Sequence, residues 1–357
     1  MYLTDLQIIR PQYESNQEET FAWFIDAHVK AENREEFRET IRERLWHVGC
    51  KPDRIAKRGH VLADFLHREW ADMRIYRLHE QPQGLPLGER IKVFQEEVDA
   101  IFETYYPATS DPPDHLIHVS CTGYVSPSGA QKIVSKRDWG QQTTVTHAYH
   151  MGCYGSIPAL RMGQGFASPK TDVVHTEICS IHSNPALHQS DQLISQSLFA
   201  DGFIKYSLLP KTDLPCLKVL RLKEEIIPAS THAMTWNVVE WGFQMSLSKE
   251  VIVFITRALS GYLQRIQAPQ NALFAIHPGG PKILTHIQKA LNLADEQIAH
   301  STHILKEYGN MSSATLPHIW ERILHDESVA DGTPIVSLAF GPGLSISGAS
   351  MVKQCGS

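Results

Sequence analysis

VTHAYHMGCYGSIPALRMGQGFA, residues 145–167, changes character half-way along. Its first part is strand-like. At Gly152 the chain must turn, and the small-residue run from Gly155 reads as a helix. The same alternation extends outward from this stretch. VVHTEICSI (173–181) reads as a strand and, after SQSLFADG (195–202), so does FIKYSLL (203–209). Upstream, Leu116 to Ser120 form a buried strand that opens into the Gly/Ser/Pro-rich CTGYVSPS (121–128). Beyond residue 210 come a helix near 249–266, the strand LFAI (273–276), helices at 281–292 and 312–324, and strands at 334–340 and 344–349. Strands and helices taking turns over this length specify a layered α/β fold. Nearer the N-terminus, residues 18–48 read as helical, with Phe37, Ile41 and Leu45 at four-residue spacing and Gly49 as the stop. A second amphipathic helix, 89–106, carries Ile91, Phe94, Val98, Ile101 and Tyr105 on one face.

Composition narrows the function. A chain of 357 residues that is 42% hydrophobic can build a large core. Its 33 basic and 39 acidic residues are mixed, for a net charge of −6, without the basic run of a nucleic-acid arm. MYLTDLQIIRPQYES (1–15) lacks the profile of a signal peptide, and no apolar stretch is long enough for a membrane span, so a cytoplasmic protein with neither nucleic-acid nor membrane partner is expected. The six cysteines form no CxxC pair, and a working cysteine is then expected to be a nucleophile rather than a zinc ligand.

Cys153 stands where the strand gives way to the helix. There the free N–H groups and the dipole of a helix start should lower a thiol pKa from about 8.5 toward the thiolate range. His277, in FAIHPGGPKIL (274–284), follows a short apolar strand, and the Pro-Gly-Gly turn lets an imidazole at the strand end face a cavity. Asn310, in EYGNMSSATLP (307–317), follows Gly309 and precedes a helix; alone it reads as an N-cap. The HxxH pair His147 and His150, and the more widely spaced His182 and His188, lack a third ligand or a general-base glutamate, and no metal site is expected.

Taken together, a Gly-Cys at a helix start, HPGGP and GNMSS, in that order, resemble the type III polyketide synthases, the family that includes chalcone synthase. CTGYVSPS, SQSLFADG and FGPGLSISG (340–348) extend the resemblance over about 115–350. It implies a five-layered αβαβα thiolase fold in two pseudo-duplicated halves, residues 1–210 with the nucleophile and 211–357 with His277 and Asn310, usually as a homodimer. It also implies an acyltransferase that needs no cofactor. Cys153, paired as thiolate with protonated His277, takes an acyl group from a thioester. His277 and Asn310 then stabilise the enolate formed by decarboxylation of a malonyl-type unit.

The implied substrates are thioesters of coenzyme A or of an acyl carrier protein, malonyl-CoA among them, with a pyrone-type product. A ketosynthase joining two carrier-bound β-ketoacyl chains into an α-pyrone, as in antibiotic pathways, and an alkylresorcinol-type synthase are the alternatives. Flanking strings place Ser183 and Met245 where plant members carry two gating phenylalanines, so a wider entrance is expected. Thr122, Ser312, Gly341, Pro342 and Gly343 fall in strings that shape the pocket. Arg54, Lys57 and Arg58, in PDRIAKRGH (52–60), are candidates for the thioester's phosphates, and equally for a solvated helix face. HPGGP argues against the fatty-acid initiation ketosynthases, whose histidine stands in a His-Gln-Ala-Asn string. Intact Cys153, His277 and Asn310 argue against a non-catalytic partner subunit.

Overall fold

The computed structural model describes residues 1–269 and 271–356. Strand β1 (Tyr2–Ile9) and the short β2 (Tyr13–Asn16) precede helices α1 (Gln17–Glu32) and α2 (Arg38–Val48). Then follow β3 (Lys57–His60), α3 (Leu87–Tyr105), β4 (His115–Ser120), α4 (Gly129–Lys136), β5 (Thr144–Tyr149), α5 (Ser156–Phe166), β6 (Thr171–Glu177), α6 (Ser190–Leu198) and β7 (Gly202–Leu209). The second half holds β8 (Cys216–Ile226), β9 (Met234–Val239), β10 (Gly242–Leu247), α7 (Val251–Ile266), β11 (Leu273–Ile276), α8 (Pro281–Leu291), α9 (Asp295–Tyr308), α10 (Thr315–His325), β12 (Pro334–Gly341) and β13 (Ser345–Gln354).

Among the described residues, nine strands form one mixed sheet in the order β11-β12-β13-β8-β1-β7-β6-β4-β5. β1 is its keystone, pairing antiparallel with β7 on one side and β8 on the other. Residue 210 lies in the connection between β7 and β8, so the strands after it sit to one side of β1 and those before it to the other.

Layering follows from period-two alternation. In β6, Val174 packs into an apolar cluster with α1 and α3, while Val173 turns to a central cluster. In β12, Ile335 joins that same central cluster and Val336 faces a third one with α7. The central cluster is filled by α5 (Ile157, Leu160) and α10 (Ile319, Trp320, Ile323). Helices therefore cover both faces of each sheet half and meet between them, which gives the αβαβα order. Strands covered on both faces lose the polar alternation of a surface strand, and all seven residues of β6 are buried.

The stretch read as helical over 18–48 is two helices. Asn16 caps α1 with a reciprocal box: its side chain accepts from the Glu19 N–H at 2.8 Å and Glu19 answers at 3.2 Å. Asn33, in the left-handed conformation, ends it, and a 3-10 turn (Glu35–Phe37) leads into α2, whose stop is Gly49 as expected. The first 110 residues also contribute β1, β2 and β3 as well as helices. Among the described residues, no helix is long and apolar enough to cross a membrane.

Candidate active site

β5 ends at Tyr149, and a 3-10 turn, Gly152–Tyr154, carries Cys153 to the start of α5. Gly152 is obligatory here. Its φ of +77° is unfavourable for any side chain, and a Cβ would lie 2.5 Å from Cδ of Pro342. Pro342 belongs to the turn between β12 and β13, so the second half of the chain presses on the Cys153 turn of the first. Gly341, beside it, leaves room for the Tyr154 ring.

Cys153 opens onto a cavity whose wall also includes Thr122, Ser183, Met245, Ser312, Pro342, Arg58 and Phe199. Its sulfur lies 3.9 Å from the Ser312 hydroxyl. Burial pushes the thiol up to about 12; the Ser312 hydroxyl and the Asn310 amide draw it only partly back. The residue keeps a fringe of surface toward the cavity, yet its sulfur sits deep in the protein. Loss of water thus opposes the thiolate expected from the helix start.

Asn310 is 1% exposed. Its N–H donates to the Leu198 carbonyl and its carbonyl accepts from Ala200, bridging it to Phe199 beside the cavity. Its side-chain oxygen accepts from the Ser312 N–H at 2.9 Å, so the amide NH2 is left free for another partner. The N-cap reading of Asn310 is overtaken, since α10 begins only at Thr315.

His277 stands just past β11, its N–H bonded to the Leu338 carbonyl of β12 at 2.7 Å. The side chain is buried, and neither ring nitrogen has a hydrogen-bond partner. Burial drives its pKa down to about 3. Burial therefore disfavours both the imidazolium of His277 and the thiolate of Cys153.

The cationic trio does not act as one cluster. Arg54 is exposed beside Asp53, and Lys57 reaches Glu14 at 3.0 Å. Arg58 turns inward, 5% exposed, donating to the Gln17 side chain and to the carbonyls of Gln196 and Phe199. Its stem packs where Gly309, at φ +72°, offers no Cβ. Gly343 lies in the β12–β13 turn and, like Gly341, is not part of the cavity wall.

Sequence reasoning missed a buried acid. Glu177, at the end of β6, accepts from the Cys121 N–H, the Thr122 hydroxyl and the N–H and hydroxyl of Ser313. Burial raises it to about 7 despite these donors. Cys121 in turn accepts from the Gly152 N–H. The available signal was a carboxylate at the end of a strand-like VVHTE. The HxxH histidines are structural donors and acceptors: His147 meets the Ser128 hydroxyl and His150 the Trp236 carbonyl.

Residues 219–354 match the family described as chalcone and stilbene synthases, C-terminal domain. Three solved structures superpose over 99% of the chain, each at 21% identity. They are PKS-I from the brown alga Ectocarpus siliculosus (TM-score 0.82, 98% of that chain), the C-terminal type III polyketide synthase domain of Steely1 from Dictyostelium (0.84, 99%) and 1,3,6,8-tetrahydroxynaphthalene synthase from Streptomyces coelicolor A3(2) (0.80, 99%). The fold is that of the type III polyketide synthases. The family match is confined to this C-terminal segment. Two Dictyostelium discoideum proteins, probable polyketide synthase 1 and polyketide synthase 37, are 27% and 25% identical over 66% and 82% of the chain. The chain spans only 8% and 11% of their lengths.

Proposed function

We propose that the chain is a ketosynthase-type acyltransferase that condenses thioester-bound acyl units through an acyl-Cys153 intermediate and releases a pyrone-type product. The supporting observation is Cys153 and Ser312 together on one cavity wall, with the Asn310 amide acting on the same sulfur and His277 buried with its ring nitrogens unengaged.

We take both partners as neutral at rest and assign His277, whose ring nitrogens are unengaged, as the base that accepts the Cys153 proton. As the Cys153 sulfur attacks the thioester carbon, its proton passes to the imidazole and then to the departing thiolate, leaving the acyl group on sulfur. Decarboxylation of a malonyl-type thioester yields an enolate, and the free NH2 of Asn310 and an N–H of His277 supply the donors for its oxygen. The enolate carbon attacks the acyl carbon, and the Cys153 sulfur leaves. Met245 and Ser183 in the wall suit a chain longer or bulkier than a phenylpropanoid. The chain can arrive on coenzyme A or on a carrier protein, with Arg54 and Lys57 near its phosphates.

Intact-protein mass spectrometry with acyl and β-ketoacyl thioesters tests this reading. Cys153→Ala should take up no acyl group, whereas Asn310→Ala should load normally and fail to decarboxylate malonyl-CoA. Wild-type loading of Cys153→Ala refutes the nucleophile. Pyrone release that needs a second β-ketoacyl chain and no malonyl unit would identify a chain-joining ketosynthase instead.

A further inference from the structure

The β9–β10 hairpin pairs only with itself among the described residues and lies outside the nine-stranded sheet. Even so it supplies Met234, Thr235, Trp236, Phe243 and Met245 to the wall of the Cys153 cavity. With no ladder to the main sheet, its position is set by side chains and by one backbone bond, from the Leu87 N–H at the start of α3 to the Glu240 carbonyl in the hairpin turn at 2.9 Å.

His182, in the 3-10 turn after β6, is the central fastener. One ring nitrogen, Nε2, lies 2.7 Å from the Thr122 carbonyl, and the other, Nδ1, lies 3.1 Å from the Phe243 N–H. A carbonyl only accepts, so the ring proton sits on Nε2 and the bare Nδ1 receives the strand N–H. A single tautomer of the neutral ring satisfies both contacts, and burial keeps the ring neutral. The ring also stacks on Phe243, with centroids 4.3 Å apart and planes 8° from parallel. At the other end, the Thr122 hydroxyl donates to Glu177, whose carboxylate also receives the Cys121 N–H beside the nucleophile turn. Three further fasteners reach the hairpin: Trp236 donates to the Cys121 carbonyl, Gln192 to the Met245 carbonyl and His150 to the Trp236 carbonyl.

We propose that His182 is a specificity-determining positioning residue, which locks the β9–β10 hairpin at a fixed distance from Cys153 and so sets the length of acyl chain the cavity accepts. The proposal rests on Cys153 being the acyl acceptor. His182 is thereby removed from the metal-ligand reading, because both ring nitrogens are already engaged.

The test is the rate of Cys153 acylation, followed by intact mass, across saturated acyl-CoA thioesters from hexanoyl to hexadecanoyl. His182→Phe keeps a ring against Phe243 but loses both hydrogen bonds; Gln192→Glu keeps the side-chain size but loses the donor to Met245. Each methylene in an apolar pocket changes discrimination by about tenfold or more. Both variants should therefore move the optimum toward longer chains and raise the long-to-short ratio of kcat/KM by about tenfold. A uniform fall across all chain lengths, with the optimum unmoved, overturns the proposal and leaves His182 a supporting residue. If His182→Phe does not fold, Gln192→Glu decides by the same criterion. Failure of the wild-type protein to acylate at Cys153 with any chain refutes the underlying reading, an outcome distinct from an unmoved optimum.

Discussion

Raising the pH should accelerate alkylation of Cys153 without the neutral plateau of a preformed thiolate–imidazolium pair. Two opposing effects set the magnitude. The start of α5 favours the anion by up to about 2 kcal/mol in a favourable geometry. Burial carries the thiol from 9.0 to about 12, a difference of about 4 kcal/mol, and so prevails. At pH 8 an ordinary thiol is about one-tenth ionised, and one with a pKa of about 12 is ionised about once in ten thousand molecules. Iodoacetamide modification at Cys153, mapped by peptide mass spectrometry with the exposed Cys355 as the internal reference for reagent access, should rise about tenfold per pH unit between 7 and 10. A rate already level below pH 7 would refute the neutral resting pair, and with it the assignment of His277 as a general base.

Gly152→Ala forces a side chain into the φ +77° turn, costing about 1–2 kcal/mol, and drives its Cβ against Pro342. Thermal denaturation should show a lower midpoint and acyl loading should slow; an unchanged midpoint would mean that the Pro342 turn does not press on the nucleophile. Glu177 has its pKa raised from 4.5 to about 7, so its contribution to stability is complete below pH 4.5 and is lost as pH rises through 7. Wild-type stability should fall over that window by about 3 kcal/mol more than that of Glu177→Gln, measured by urea denaturation at several pH values. Parallel pH profiles for the two proteins would contradict the buried acid.

The strings around Cys153, His277 and Asn310 were legible because they are local. HPGGP and GNMSS each hold a backbone turn and its functional residue within a few positions, and the Gly152–Cys153 turn announces itself by its change of period. Layering was legible for a related reason: β12 buries both faces, and its PIVSLAF reads as a nearly continuous apolar run. β1 was not, since a single strand at the N-terminus gives no hint that it pairs with β7 and β8, more than 190 positions away.

What only tertiary structure decided was burial and partnership. Arg58 and Lys57 are neighbours in sequence, yet one points inward to the Phe199 carbonyl and the other outward to Glu14, because successive strand residues face opposite sides. The chemical type of Cys153 and His277 came from the sequence, but not their charge. Charge depends on how much water the assembled halves leave around each group, and that quantity belongs to no segment of the chain by itself.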